Sequence, residues 1–417
     1  MTVELEKKNK IQLIVLTDYA YINGGASQVA LSSLNYLADS GVDVRLVAAV
    51  GPIDASINRD KVLVTCFEGV DLLGDALRFR SAVNGLWNYK HKRNLELILK
   101  EYSPVNSVIH IHTWVKSLSS SVIKACIDHG FKVVLTLHDY FLVCPNGGLY
   151  NYPKGEHCTV PPMSLSCLST NCDSRSYAHK LWRYTRQLIQ ENIAHIPNEV
   201  KNYICVSSYS EALVSPYLPE GANVFRIPNP ITIKKLPNLP PSLSSSFIYV
   251  GRFSPEKGAT LFAQAADALK ISATFVGLGS EEDRIRTLCP SAKFLGWLDS
   301  NGVLGAVKSS RALIFPSICH ETQGLTVAES AALGIPAIVS DGCAARELIV
   351  DGVTGLLFKS GDLVDLIDKI KMLDENPSFA DELGGNAYVK YWGSPSSLEK
   401  HVASLLFCYE NIIYGSS

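Results

Sequence analysis

Apolar and polar positions fall into blocks along this chain, and the period of the pattern changes from block to block. Near-continuous apolar runs rich in Val, Ile and Leu cover 11–17, 42–50, 62–66, 107–112, 132–137, 203–206 and 225–227. Such runs, lacking polar alternation, predict parallel strands covered on both faces. Between the first two, Ala30, Leu34 and Leu37 recur at helical spacing and stop near Gly41. One apolar stripe closed by a glycine predicts a helix. Strand and helix in turn predict a doubly wound parallel sheet.

The pattern breaks at Ile227-Pro228-Asn229-Pro230 and again over 237–246, where Pro and Ser are too dense for a sheet interior. It then restarts. Strands are predicted at 247–250, 273–276, 293–295, 312–315 and 337–340, with helices at 260–269 and 325–333. One more helix is predicted over 397–413, after Gly393-Ser394-Pro395. The expectation is an α/β molecule with a Rossmann-like domain over 1–230, a linker over 231–246 and a second Rossmann-like domain over 247–393. Residues 394–417 would pack back on the first domain, and the two parallel sheets would face a central cleft.

Composition narrows the class without naming a chemistry. The 417 residues suffice for two cores, and 47% hydrophobic with 19% charged residues excludes a disordered chain. A formal net charge of -2 gives no global field for nucleic acid, and none is expected as a partner. Met1–Lys8 mixes acids and bases ahead of an apolar run too short for a signal-peptide core, and no run is long enough to cross a bilayer. The expectation is a cytoplasmic protein. Eleven cysteines, mostly inside apolar runs, fit buried free thiols better than a disulfide framework.

The densest candidate chemistry is His320-Glu321-Thr322-Gln323-Gly324-Leu325-Thr326-Val327-Ala328-Glu329-Ser330. A strand ends before it, and the helix beginning near Gly324 offers free N–H groups and a positive dipole end to a diphosphate. Glu321 and Glu329 then flank that helix end, where carboxylates can accept hydrogen bonds from sugar and ribose hydroxyls. Taken alone, Glu321 as an N-terminal helix stabiliser and Glu329 as an exposed helix residue are the commoner reading. A second block, Gly251-Arg252-Phe253-Ser254-Pro255-Glu256-Lys257-Gly258, directly follows the predicted strand 247–250. Ligands of open parallel sheets sit outside the carboxyl ends of strands, so Arg252 and Lys257 are placed to meet phosphate. An ordinary Arg–Glu pair on a solvated loop is the competing reading.

Together the two blocks resemble glycosyltransferase family 4: G-R-x-x-x-x-K-G, then a glutamate, seven residues and a second glutamate, with Gly-Leu between. Gly277-Leu278-Gly279, Gly352-Val353-Thr354-Gly355-Leu356-Leu357-Phe358 and the early Gly24-Gly25 turn are similar to that family as well. The resemblance runs over essentially the whole chain and is densest from Tyr249 to Phe358. It implies the GT-B fold, a nucleotide-sugar donor and a retaining outcome without an obligatory metal or cofactor. Arg252 and Lys257 would bind the donor diphosphate, Glu321 the transferred sugar and Glu329 the ribose, with Gly24, Gly25, Gly324, Leu325 and Thr326 lining the donor. A UDP-sugar is the preferred donor and a GDP-sugar the alternative. His138-Asp139 closes the predicted strand 132–137, and the resemblance gives His138 a part in orienting the reacting groups. His112, with Asp139, is an acceptor-side candidate. Nothing in the spacing puts a carboxylate beneath an anomeric carbon, so Glu321 is not expected to be a nucleophile.

Two further features qualify that reading. Cys144, Cys158, Cys167 and Cys172 crowd one Pro/Gly/Ser-rich loop and could hold a structural zinc ion, although no Cys-x-x-Cys knuckle is present. Arg78, Arg80, Lys90, Lys92, Arg93 and Lys100, between Ala76 and Lys100, interleave with Trp87 and Tyr89; a second stretch holds Arg175, Lys180, Trp182, Arg183 and Arg186. Cationic, aromatic-bearing helices suit an anionic membrane surface, while a solvated face is the plainer account. The expected function is transfer of a hexose or N-acetylhexosamine to a lipid-linked glycan acceptor in surface polysaccharide assembly (capsule or lipopolysaccharide), peripheral at the inner membrane face. An inactive nucleotide-sugar-binding subunit and a sugar-nucleotide epimerase or hydrolase of the same fold are the rivals.

Overall fold

The computed structural model describes residues 11–72 and 77–415. The mixed-charge start Met1–Lys8, and Ala76 at the head of the first basic segment, lie outside the described residues. β1 (Gln12–Tyr19), β2 (Asp43–Val50), β3 (Val62–Cys66), β4 (Ser107–Ile111) and β5 (Lys132–Leu137) precede a small antiparallel hairpin, β6 (Tyr150–Asn151) with β7 (Glu156–His157). β8 (Asn202–Cys205) and β9 (Asn223–Arg226) follow. The hairpin apart, these strands form one parallel sheet in the order β3-β2-β1-β4-β5-β8-β9. Leu13, Ile14, Val15 and Leu16 are all buried, because helices cover both faces of the sheet and leave no polar side to alternate with.

A second parallel sheet is built from β10 (Ser246–Val250), β11 (Ser272–Val276), β12 (Lys293–Gly296), β13 (Ala312–Phe315), β14 (Ala337–Ser340) and β15 (Gly355–Phe358). Its order is β12-β11-β10-β13-β14-β15. Each sheet therefore reverses its strand order once, between β1 and β4 in the first and between β10 and β13 in the second. Chain connections leave these points in opposite directions and open a crevice at the carboxyl ends of the strands, where such folds bind ligands.

The chain passes between the two sheets twice. Residues 227–240 form no helix or strand and lead into the second sheet, with Ile231 buried against Ala328 and Ala332. The return passes through residues 394–397 into the helix Leu398–Tyr414. That helix lays Leu398, Val402, Leu405, Cys408, Tyr409 and Ile412 into the core around Leu13, Val15, Leu31 and Leu34 of the first domain. The two passages touch, Ile231 N–H donating to the Ser396 carbonyl at 2.9 Å. Among the described residues no helix is long and apolar enough to cross a membrane, and every cysteine is a free thiol.

Candidate active site

In the second domain, both loops at the crevice are fastened to each other. Glu256 is buried; its carboxylate accepts from Arg252 Nη2 at 3.0 Å and from Ser254 Oγ at 2.7 Å. Its carbonyl accepts the N–H groups of Ile318 and Cys319 in the loop after β13, at 2.9 and 3.2 Å. Gly258 closes the turn at φ 71°, and a Cβ there would stand 2.0 Å from the Pro316 carbonyl oxygen, so only glycine allows this approach. The result brings Lys257 Nζ against Glu321 Oε1, which also accepts from Ser317 Oγ at 2.8 Å. Burial works against both charges. The attraction between them prevails, holding the Lys257 ammonium above its ordinary pKa and the Glu321 carboxyl below its own.

The helix Leu325–Leu333 starts four residues after Glu321. Its first internal bonds run from Val327 and Ala328 to the Gly324 carbonyl, so the N–H groups of Leu325 and Thr326 precede the hydrogen-bonded turn. Glu329 lies in the next turn, half-buried, and its carboxylate makes no hydrogen bond or ion pair among the described residues. Burial alone pushes its pKa up to about 7.

The facing wall comes from the first domain. Gly24 caps the helix Gly25–Asp39 at φ 139°, ψ -179°, a backbone region open to glycine, and Asn23 N–H donates to Ser27 Oγ at 2.8 Å beside it. A Cβ on Gly25 would lie 3.6 Å from Leu325 Cδ1, so the amino ends of two helices meet across the crevice. At the ends of β4 and β5, His110 and His112 are buried and His138 lies half-buried beside them. The His110 and His112 rings lie 4.1 Å apart, and His112 Nδ1 shares a hydrogen bond of 3.0 Å with His138 Nε2. His110 is bonded to Tyr409 OH at 2.7 Å and to Thr136 Oγ1 at 2.6 Å. Burial drives His110 and His138 down to about 3 and holds His112 well below its ordinary value. All three are neutral at physiological pH. His138 Nδ1 has no partner among the described residues. Asp139 accepts from Phe141 N–H at 3.0 Å, and burial pushes its carboxyl up to about 6.

The structure therefore gathers Gly24, Gly25, His138, Lys257, Glu321, Gly324, Leu325 and Thr326 around one crevice, with Thr322 Oγ1 donating to the His138 carbonyl at 3.1 Å to join the walls. Arg252 stands at its rim, largely exposed, and Glu329 one turn deeper along the helix. His112 sits behind His138 and reaches the crevice through it.

Sequence reasoning missed several residues here. Tyr209 OH, from the helix Ser208–Val214, bonds both His320 Nδ1 and the Gly342 carbonyl at 2.6 Å, and His157 of β7 stacks on His320 with ring centroids 3.6 Å apart. Asp18, fully buried at the end of β1, accepts from the N–H groups of Lys116, Ser117 and Leu118 at 3.0, 2.8 and 2.9 Å, which shapes the loop after β4. Its only signal was an acid inside an apolar run.

The expected zinc set is corrected. Among the described residues no group of three or more His, Cys, Asp or Glu side chains is arranged to hold a metal ion. An ammonium sits among the thiols instead: the fully buried Lys180 donates from Nζ to Cys167 Sγ at 3.1 Å. The basic stretches divide. Arg78, Arg80 and Arg175 are exposed, whereas Lys180 and Arg186 are buried, and Lys92 is paired to Asp128 as well as to Glu96.

Two family models match the chain. "Glycosyltransferase Family 4" covers residues 23–235 and "Glycosyl transferases group 1" covers residues 237–390. A phosphatidyl-myo-inositol mannosyltransferase of Mycobacterium leprae is 29% identical over 171 residues, covering 37% of this chain and 46% of that protein. The match thus spans less than half of that relative. Sucrose-phosphate synthase of Thermosynechococcus elongatus superposes with a TM-score of 0.72 at 17% identity, covering 98% of this chain and 100% of the other. Anabaena HepE, solved in complex with UDP and glucose, superposes with a TM-score of 0.65 at 16% identity, over 95% and 99% of the two chains. The fold is thus the GT-B arrangement.

Proposed function

The chain belongs to glycosyltransferase family 4, and from that premise we propose that it is a retaining, metal-independent glycosyltransferase that moves a hexose or N-acetylhexosamine from a nucleoside diphosphate sugar to a lipid-linked glycan. The observation that carries the reading is the Lys257–Glu321 pair beneath two facing helix amino ends. It presents fixed positive potential to a diphosphate and a carboxylate to the adjoining sugar.

In this reading the bond between the anomeric carbon and the diphosphate oxygen breaks as the acceptor oxygen bonds to the same face. The acceptor proton passes to the departing phosphate oxygen. Lys257 and Arg252 offset the charge on the leaving nucleotide, Glu321 holds sugar hydroxyls, and Glu329 takes ribose hydroxyls. His138, neutral and with Nδ1 unbonded, orients a hydroxyl at the reacting centre, with His112 and Asp139 behind it. UDP is the preferred nucleotide, supported by the UDP-bound neighbour of the same fold, with GDP as the alternative. A membrane-bound acceptor in surface polysaccharide assembly is supported by the helix Arg78–Leu86, which exposes Phe79 and Val83 beside Arg78 and Arg80, and by the relative whose name specifies a phosphatidyl-inositol.

A thermal-shift screen against UDP, GDP, ADP and their sugar conjugates tests the donor. Stabilisation of about 2.7 kcal/mol is expected at one hundred times the dissociation constant, for one nucleotide family. No shift with any of them removes the donor assignment. The anomeric configuration of the product, read by NMR, tests retention.

A further inference from the structure

Between the helices Arg78–Leu86 and Tyr177–Asn192 lies a cavity of about 630 Å³. Arg78, Lys116, Arg175, Arg183 and Arg186 line it, and no described lining residue carries a carboxylate. Arg183 is paired with the buried Asp173 at 3.2 Å. Arg78, Lys116, Arg175 and Arg186 have no ion-pair partner among the described residues. Arg186 is the informative member, because it is only 8% exposed. Its guanidinium lies over the rings of Phe141 and Trp182, at 4.7 and 5.5 Å, and Nη2 donates to the Pro145 carbonyl at 3.2 Å.

That carbonyl uses one of the five N–H donors of an arginine. Burial, with Arg183 beside it, lowers the Arg186 pKa to about 10 against the pull of Asp139 and Asp18, so the group keeps its charge at neutral pH. Asp139 and Asp18 attract Arg186 without forming an ion pair with it, and four more cations share the same space, so the cavity keeps an excess of positive charge that is costly while no anion occupies it. The arrangement is favourable once an anion enters. Planar guanidinium forks match phosphate oxygens in pairs, which a single carboxylate cannot satisfy at several arginines together. The place also matters. Phe141 follows His138 by three residues, and Lys116 N–H is held by Asp18 at the end of β1, so the cavity adjoins the carboxyl edge of the first sheet on the His138 side.

We propose that this cavity receives the phosphate ester or diphosphate of the acceptor, as a second anion site separate from the donor crevice. The proposal rests on the glycosyl-transfer reading for the word acceptor, while the anion site stands on the cavity itself. A lipid headgroup and a soluble phosphorylated glycan offer the same chemistry.

Inorganic pyrophosphate, titrated calorimetrically into the full chain, tests it. In an Arg252→Ala/Lys257→Ala background, or in the wild-type chain saturated with its nucleotide, pyrophosphate binding is expected to persist. Adding Arg78→Glu/Arg175→Glu, on exposed side chains that the fold does not need, is expected to weaken it by at least roughly tenfold. Equal binding with and without those reversals overturns the proposal, as does no binding in the donor-blocked chain. Nucleotide-sugar binding lost in Arg252→Ala/Lys257→Ala but kept in Arg78→Glu/Arg175→Glu reads the donor crevice separately, so either site can fail without the other. Sedimentation with phosphatidylcholine vesicles containing phosphatidylglycerol, lost in Arg78→Glu/Arg175→Glu, assigns the phosphate to a lipid headgroup. Pyrophosphate binding without sedimentation assigns it to a soluble phosphorylated glycan.

Discussion

Across the crevice, the second-domain wall keeps its charges in pairs, Lys257 with Glu321 and Arg252 with Glu256, whereas the first-domain wall presents the neutral imidazole of His138, with His112 and His110 buried behind it. For the glycosyl transfer proposed above, the two walls meet different demands. A departing diphosphate needs positive charge that is already in place, and a carboxylate partner keeps the ammonium charged and oriented despite burial. An attacking hydroxyl needs a hydrogen-bond partner that does not repel or trap developing charge. Burial supplies that on the histidine side by holding the rings uncharged.

The largest expected effect is on the charged wall. Lys257→Ala should lower kcat/KM by roughly a hundredfold to a thousandfold, with circular dichroism showing the fold retained. Donor turnover unchanged in the folded variant would take Lys257 out of the site. Glu321→Gln should cost less, roughly tenfold to a hundredfold in kcat/KM, because it removes one charge-assisted partner and leaves Lys257 in place. If Glu321→Gln proved the more damaging of the two, the carboxylate would have a role in bond making that the pairing does not provide.

On the neutral wall, His138→Gln should lower kcat by about tenfold while leaving the shape of its pH profile between 5 and 8 unchanged. A titrating ring would add a limb, and a ring whose pKa is about 3 cannot. A limb near 6 that vanished in the variant would break the contrast between the walls.

The smallest effect concerns Glu329. Its folded pKa of about 7 is above the unfolded carboxylate value, so its protonated form favours the fold at low pH. That contribution is full below the unfolded pKa and is lost as pH rises through 7. With the proposed ribose contact, donor affinity runs the other way, since hydroxyls are best accepted by the ionised group. Affinity should rise several-fold, up to about tenfold, between pH 6 and 8 in the wild type and stay flat in Glu329→Gln, measured by calorimetry.

Much of this was legible along the chain because the deciding contacts are local or lie at strand ends. β3, β5, β13 and β14 fall where apolar runs begin and stop, and the helix Leu325–Leu333 begins just after Gly324. The short β15 was not anticipated as a strand, since its residues entered only through the family-like stretch Gly352 to Phe358. Contacts made across the fold carried no sequence signal at all. Tyr209 reaches His320 over 111 residues and His110 reaches Tyr409 over 299, and neither pair has a spacing to recognise. The cysteine loop misled for a related reason: thiol spacing says nothing of a lysine that arrives from the next helix and donates to Cys167.

The contact between the two interdomain passages has a mechanical consequence. Two covalent tethers far apart would lock the domains together, and one alone would leave them free to slide as well as turn. Here Ile231 and Ser396 lie side by side, and His401 Nδ1 is bonded to the Pro228 carbonyl at 2.8 Å just beyond them. Adjacent tethers act as a door hinge, suppressing translation and leaving rotation about one line as the soft motion. Any opening of the crevice would then be a swing that parts Gly25 from Leu325.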